Sequence, residues 1–267
     1  LALLDIRGLS KSFNIGTPME NRVINGLDLR LASGEFATII GSNGAGKSTL
    51  LNLVAGTLDA DSGHISLDGE EVTDEKAFRR ALHIGRVHQD PKMSVASSMT
   101  LLENLSLADA KGDSLSMRKA VDLKKVESYK ERLRSLELGL EDKLFTKMGL
   151  LSGGQRQGVA LLMAIMKKPK LLLLDEHTAA LDPKTSEIIM RITERLVRED
   201  AITTLMITHN LKHAIDHGTR LLMMHEGKIV FDVSGEEKGQ LTSRDLIALF
   251  RKNISEDAME DRSLLSL

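Results

Sequence analysis

Nine consecutive residues, Gly41-Ser42-Asn43-Gly44-Ala45-Gly46-Lys47-Ser48-Thr49, carry the spacing G-x-x-x-x-G-K-[ST] of a phosphate cradle. Glycines let backbone N–H groups converge on an anion without Cβ clashes. A helix starting at the loop adds the positive end of its dipole. Lys47 can then reach β- and γ-phosphates, and the Ser48 hydroxyl can ligate Mg²⁺.

Other residue types suited to phosphoryl chemistry lie further along. Asp175 and Glu176 close the apolar run Leu171 to Leu174. Carboxylates in such surroundings are costly unless they are paired or at work. Asp175 is placed to hold Mg²⁺, directly or through water, and Glu176 to polarise a water as general base. His209 follows a second apolar run, Ile202 to Ile207, and can contact a γ-phosphate or orient the water. Gln89 follows Ile84-Gly85-Arg86-Val87, and its amide oxygen can reach Mg²⁺ or the water. Phe13, one of 6 Phe, sits among polar residues. It reads either as a core or turn aromatic or as a stacking platform for a flat base. His83, His88, His213, His217 and His225 read as core or surface histidines, and no metal cluster is expected beyond Mg²⁺ carried with a nucleotide.

A second anion-ready helix start lies at Leu151-Ser152-Gly153-Gly154-Gln155. Ser152 and Gln155 have capping-box spacing, and the paired glycines leave N-terminal amides open. One nucleotide needs one cradle, and no internal repeat supplies a second site. A second cradle therefore serves the nucleotide of another copy, which implies a symmetric dimer with two composite sites.

These residues need a parallel sheet to hold them. Glu35 to Ile40 reads as a short buried strand before the phosphate loop, and Thr49 to Gly56 as an apolar helix closed by glycine. Leu171 to Leu174 and Ile202 to Ile207 read as strands covered on both faces. Ahead of this core, Leu3 to Leu9 and Val23 to Leu31 alternate apolar with polar, the first broken by Ser10 to Asn14. His64 to Leu67 continues that antiparallel material through the Asp68-Gly69 turn. Thr73 or Asp74 is positioned to cap a helix over Glu75 to Leu82. Three helical segments are expected at Thr100 to Ala108, Asp122 to Leu136 and Glu141 to Phe145, with a polar loop over Asp109 to Arg118. The helix from Ser152 should reach Lys167-Lys168, and Asp182-Pro183 should start another over Lys184 to Val197. A short helix over Leu211 to His217, a hairpin about Glu226-Gly227 and a surface helix over Leu241 to Phe250 follow. The tail from Asn253 is charged. The chain is thus α/β, with an N-terminal antiparallel β subdomain and an inserted helical subdomain. The expected boundaries are 1–98 for the first part of the core, 99–150 for the helical insertion, 151–240 for the second part and 241–267 for the C-terminal helix and tail.

Composition narrows the partners. A chain of 267 residues can bury a sizeable core. With 36 Lys+Arg against 38 Asp+Glu, nothing favours a nucleic-acid partner. The absence of cysteine excludes disulfides and thiolate chemistry. No apolar run is long enough to span a bilayer, and Leu1 to Ile6 lacks the length and basic leader of a secretory signal.

Taken together, the motifs resemble the ATP-binding cassette (ABC) family over residues 3 to 235. Gly41 to Thr49 matches its Walker A loop, Leu171 to Glu176 its Walker B segment with the catalytic glutamate, and Leu151 to Gln155 its LSGGQ signature. Gln89 falls at the Q-loop, Ala180-Leu181-Asp182 at the D-loop, His209 at the switch histidine, and Phe13 at the adenine-stacking aromatic. One departure is visible: the family usually has Pro after the glutamate, where this chain has His177. The wording Asp175 to Asp182 is similar to that of a bacterial uptake-system subgroup that works with a lipoprotein binding protein, aromatic amino-acid (tryptophan/tyrosine) transporters among them.

The resemblance implies a P-loop NTPase core of ABC type that hydrolyses ATP with Mg²⁺. It implies a head-to-tail dimer, with ATP between Gly41 to Thr49 of one copy and Ser152 to Gln155 of the other. Lys47 and Ser152 would stabilise the transferring phosphoryl group, Ser48, Asp175 and Gln89 would organise Mg²⁺, and Glu176 would polarise water. His209 and the other copy's Asp182 would position that water. The expected setting is the cytoplasmic face of a cell membrane, as a peripheral subunit on polytopic permease subunits, with an extracytoplasmic solute-binding lipoprotein completing an importer. An exporter, a lipid-extraction system and a soluble cassette ATPase remain alternatives.

Overall fold

The computed structural model describes residues 2–113 and 121–253. In chain order, β1 (Ala2–Phe13), β2 (Asn21–Ala32) and β3 (Phe36–Gly41) lead to α1 (Lys47–Ala55). Next come β4 (Ser62–Leu67), β5 (Glu70–Glu71), α2 (Ala77–Arg80), β6 (Ile84–Val87), α3 (Leu101–Asp109), α4 (Val126–Arg134) and α5 (Gly153–Ile165). The last part holds β7 (Leu171–Asp175), α6 (Pro183–Glu199), β8 (Thr203–Ile207), α7 (Leu211–Asp216) and β9 (Arg220–His225). It closes with β10 (Lys228–Ser234), α8 (Gly235–Gly239) and α9 (Ser243–Asn253).

The strands make two sheets. One is antiparallel with the order β2-β1-β4-β5, and the other runs β10-β9-β3-β8-β7-β6. In the second sheet β3, β6, β7, β8 and β9 are parallel, and β10 is an antiparallel edge. The continuous apolar runs are explained by two covered faces. Leu171 and Leu173 of β7 join Leu205 and Ile207 of β8 in a core shared with α1 and the antiparallel sheet. Leu172, Leu174 and Met206 face the opposite core with α3, α4, α5 and α6. A strand that buries both rows of side chains cannot alternate with polar residues.

Several sequence expectations are corrected. The break at Ser10 to Asn14 does not occur, because β1 continues to Phe13. Register shifts near Leu9 and Lys11 absorb the lost alternation, and Ser12 N–H donates to Asp61 at 2.6 Å. Glu141 to Phe145 is a run of turns, not a helix. Its neighbourhood gives carbonyls to the start of α3: Leu101 N–H donates to Thr146 O and Leu102 N–H to Leu144 O. Those amides lie in the unsatisfied first turn of α3, so the segment acts as an external cap. Helix over Asp122 to Leu136 is limited to a 3₁₀ turn at Leu123–Lys125 and α4.

The helix expected over Glu75 to Leu82 shrinks to α2, and neither Thr73 nor Asp74 caps it. The Thr73 hydroxyl is taken up across the sheet by Ile65 N–H at 2.7 Å. Helix α5 ends at Ile165, short of Lys167-Lys168, and Lys168 adopts φ 47° and pairs with Asp200 at 2.6 Å. The last helix starts at Ser243, two residues later than expected, and α8 is not foreshadowed by any clear pattern. The expected loop over Asp109 to Arg118 begins inside α3, and its residues 114–118 lie outside the described residues, as does the charged tail after Asn253.

Between residues 99 and 150 the described regular structure is helical. Its ends are tied together by a Thr100–Lys147 bridge and by Met148 N–H donating to Met99 O.

Candidate functional site

The phosphate loop joins β3 to α1. Gly46 is the N-cap of α1 at φ 98°, a left-handed conformation costly for any residue with a Cβ. A Cβ there would also meet Val23 O at 2.7 Å. Lys47 is 5% exposed, and its ammonium donates to the loop carbonyls of Gly41 (2.7 Å) and Ser42 (2.8 Å). The loop thus holds its cation at its own centre. Ser42 is partly buried, Asn43 and Gly44 are exposed at the tip, and Thr49 is partly buried behind Ser48.

Parallel pairing of β7 with β8, and of β8 with β3, brings three strand ends beside this loop. Ser48 Oγ donates to Asp175 Oδ1 at 3.3 Å. A hydroxyl and a carboxylate oxygen are hard oxygen donors of the type Mg²⁺ prefers, so the pair fits that ion. Glu176 follows at φ 47°, and its N–H donates to Ile207 O at 3.0 Å. The left-handed turn swings its carboxylate toward the end of β8, where Oε1 meets His209 Nε2 at 2.5 Å. A cleft of about 460 Å³ opens beside this pair, lined by Glu176, Thr178, Pro183, Thr208 and His209 among others. One carboxylate oxygen is held by the imidazole, and the other is left to accept from a water.

Gln89 is exposed just beyond β6, the strand next to β7. Phe13 ends β1 opposite Asn21, is 37% exposed, and has Lys11 Nζ 5.9 Å from its ring centroid. A cleft lined by Asn21, Arg22, Val23, Asn25, Gly44 and Glu226 lies between that ribbon and the loop tip. Phe13 does not itself line that cleft, but it is exposed and pairs with Asn21, which does.

The second helix start has the expected capping box. Ser152 Oγ accepts from Gln155 N–H, and Gln155 Oε1 accepts from Ser152 N–H, both at 3.2 Å. The Ser152 O–H hydrogen is left to donate. Gly154 lets α5 approach α6: a Cβ there would meet Thr185 Cγ2 at 2.3 Å. Gly153 packs beside Leu181. Asp182 caps α6 by accepting from Thr185 N–H at 3.1 Å, and hydrogen bonds from the Thr185 side chain and then from its N–H hold the carboxyl below the usual range. Within one protomer, then, Gly153 lies against Leu181 and Gly154 against Thr185 in the first turn of α6. Between separate strands and helices, the described site residues brought into contact are Ser48 with Asp175 and Glu176 with His209.

One residue near the site, Arg86, escapes sequence reasoning, and a second, His177, is visible there only as a departure from the family pattern. Arg86 on β6 places Nη2 3.6 Å from Asp175 Oδ2. The signal available was a cation inside an otherwise apolar strand. His177 is 2% exposed, and its Nε2 lies 3.2 Å from Thr193 Oγ1. That hydroxyl donates to Ile189 O at 2.8 Å, so His177 Nε2 is the donor. Burial, and then His213 and His217, push its pKa down to about 3. Where a proline is usual, this chain has a neutral imidazole locking the loop to α6. His213 and His217 are core histidines as expected, paired with Glu187 and Glu194.

Known proteins share the fold described above. The family model described as "ABC transporter" matches residues 24–179. A tyrosine transport ATP-binding protein of Clostridioides difficile is 46% identical over 93% of this chain and 98% of its own length. A spermidine/putrescine import ATP-binding protein of Haemophilus influenzae is 36% identical over 88% of this chain, which spans 59% of that longer protein. Among solved structures, the ADP conformation of an ATP-binding cassette of an ABC transporter superposes with a TM-score of 0.78 at 26% identity, over 96% of this chain and 100% of that one. A dimeric post-hydrolysis cassette bound to ADP and Pi gives 0.72 at 29% identity, over 86% and 98%.

Proposed function

The chain belongs to the ABC transporter family, as an ATP-hydrolysing subunit of a bacterial importer for a small solute, and on that premise we propose that its cargo is an aromatic amino acid, tyrosine foremost. The likeness to the tyrosine transport protein over nearly the full length of both chains carries the choice of cargo. The polyamine-import relative shares only part of its length with this chain.

The hydrolytic reading is carried by the 2.5 Å contact between Glu176 and His209. Two copies pair head to tail, so that each ATP lies between Gly41 to Thr49 of one protomer and Ser152 to Gln155 of its partner. The ring of Phe13 stacks on the adenine. Lys47 and the loop amides bind the β- and γ-phosphates, joined by the free O–H of Ser152 from the other copy. Ser48, Asp175 and Gln89 would hold Mg²⁺, which would supply positive charge against the negative charge of the phosphoryl oxygens. Glu176 accepts the proton of the attacking water through the oxygen that His209 leaves open, and His209 with the partner's Asp182 keeps that water in line. Residues 99–150 act as the helical subdomain and 1–98 with 151–240 as the core, followed by the 241–267 extension. Their relative motion on ATP binding drives polytopic permease subunits at the cytoplasmic face of the membrane, fed by a solute-binding lipoprotein.

The test is uptake in cells lacking the gene. Labelled tyrosine uptake should fall and return with the wild-type chain, but not with Glu176→Gln. A pull-down of tagged Glu176→Gln from detergent-solubilised membranes should bring a polytopic protein with it. Loss of putrescine uptake with tyrosine uptake intact would reassign the cargo, and ribosomal or no partners would remove the transporter role.

A further inference from the structure

Strand β6 carries a charge in a place built for apolar side chains. Its neighbours Ile84 and Val87 are buried, and Arg86 lies opposite Leu173 of β7, two residues before Asp175. The Arg86 guanidinium extends along β7 to the metal-ligand carboxylate. Both side chains are 15% exposed, so water and salt screen them weakly. Nη2 stands 3.6 Å from Asp175 Oδ2, Nη1 is 3.5 Å from Thr57 Oγ1, and Nε is buried with no hydrogen-bond partner among the described residues. These contacts are too long for strong hydrogen bonds. Arg86 therefore acts on Asp175 as a charge rather than as a clamp. Burial pushes its pKa down and Asp175 opposes that, yet a guanidinium stays protonated. The other oxygen of Asp175, Oδ1, faces Ser48. The carboxylate is thus flanked by a fixed cation on one side and by the position of a mobile cation on the other.

We propose that Arg86 is a positioning residue for Asp175: it neutralises the carboxylate before Mg²⁺ arrives and lowers the affinity of the site for the ion. Two cations sharing one carboxylate in a poorly screened place repel each other. The ion then enters and leaves with its nucleotide instead of staying behind after product release. This inference rests on the reading of Asp175 as a Mg²⁺ ligand.

Mn²⁺ is the probe, counted by electron paramagnetic resonance on the full chain with a non-hydrolysable ATP analogue. Arg86→Met should bind Mn²⁺ about tenfold more tightly than wild type, and Arg86→Lys, which keeps the charge, should match wild type. Should Arg86→Met melt below the assay temperature, Arg86→Gln takes its place. Unchanged or weaker Mn²⁺ binding in the neutral variant overturns the proposal, and so does an Arg86→Lys that behaves like the neutral variant. Asp175→Asn separates this from the underlying reading. If it retains wild-type Mn²⁺ binding, Asp175 is not the ligand; if it loses that binding while Arg86→Met is unchanged, only the role of Arg86 fails.

Discussion

Glu176 Oε1 and His209 Nε2 lie 2.5 Å apart although they follow different strands. Two features produce the contact. Parallel pairing sets Asp175 against Ile207, so the two strands end side by side. The left-handed backbone of Glu176 then turns its side chain across the gap. Such a conformation costs a non-glycine residue about 1 kcal/mol and is retained here by Glu176 N–H donating to Ile207 O.

Glu176→Gln keeps the shape and removes the base. ATPase activity of the isolated protein should fall by about 100-fold or more, as for loss of a general base. A steady-state phosphate-release assay checks this, and equal rates would sink the assignment.

ATP should hold Glu176→Gln as a dimer, because the composite site is filled but not turned over. Size-exclusion chromatography with light scattering should report twice the protomer mass, and adding Ser152→Arg should return it to one. A monomer in the first case would undo the shared-site arrangement.

Phe13→Ala should weaken nucleotide binding about tenfold, since stacking on one base is worth roughly 1–3 kcal/mol. Phe13→Tyr should restore it. Equal affinity in titration calorimetry would return Phe13 to a surface aromatic of the β1–β2 ribbon.

Acid should destabilise the fold through His177. Its pKa is about 3 in the native state against 6.5 unfolded, so between those values the unfolded chain binds more protons. Stability therefore falls as pH drops below 6.5, by about 1 kcal/mol over the first unit. His213, shifted down chiefly by burial, acts in the same direction. Urea melts at pH 7.5 and 5.5 should show a smaller difference in His177→Leu than in wild type.

Lys238→Met should cost about 2–4 kcal/mol in chemical denaturation. The buried ammonium donates to the carbonyls of Ile215, His217 and Gly218 at the end of α7, and methionine would leave them unpaired. A cost under about 0.5 kcal/mol would mean that water replaces the ammonium there.

Chemistry confined to a few neighbouring residues was legible in the sequence by itself. The spacing from Gly41 to Thr49, the capping box of Ser152 with Gln155, and the apolar runs of β7 and β8 each follow from short-range geometry. Hydrogen-bond reach, helix dipole and strand pleat act over one to six residues, so residue type and spacing suffice. Tertiary structure alone decided the contacts between those pieces. It brought His209 onto Glu176 and set Arg86 beside Asp175. It buried His177 against Thr193, carried β1 past Ser10 to Phe13, and spent the carbonyls of Leu144 and Thr146 on the start of α3 instead of on a helix of their own. Which strand pairs with which, and in what register, is fixed by the burial of whole faces, and no local pattern carries that information.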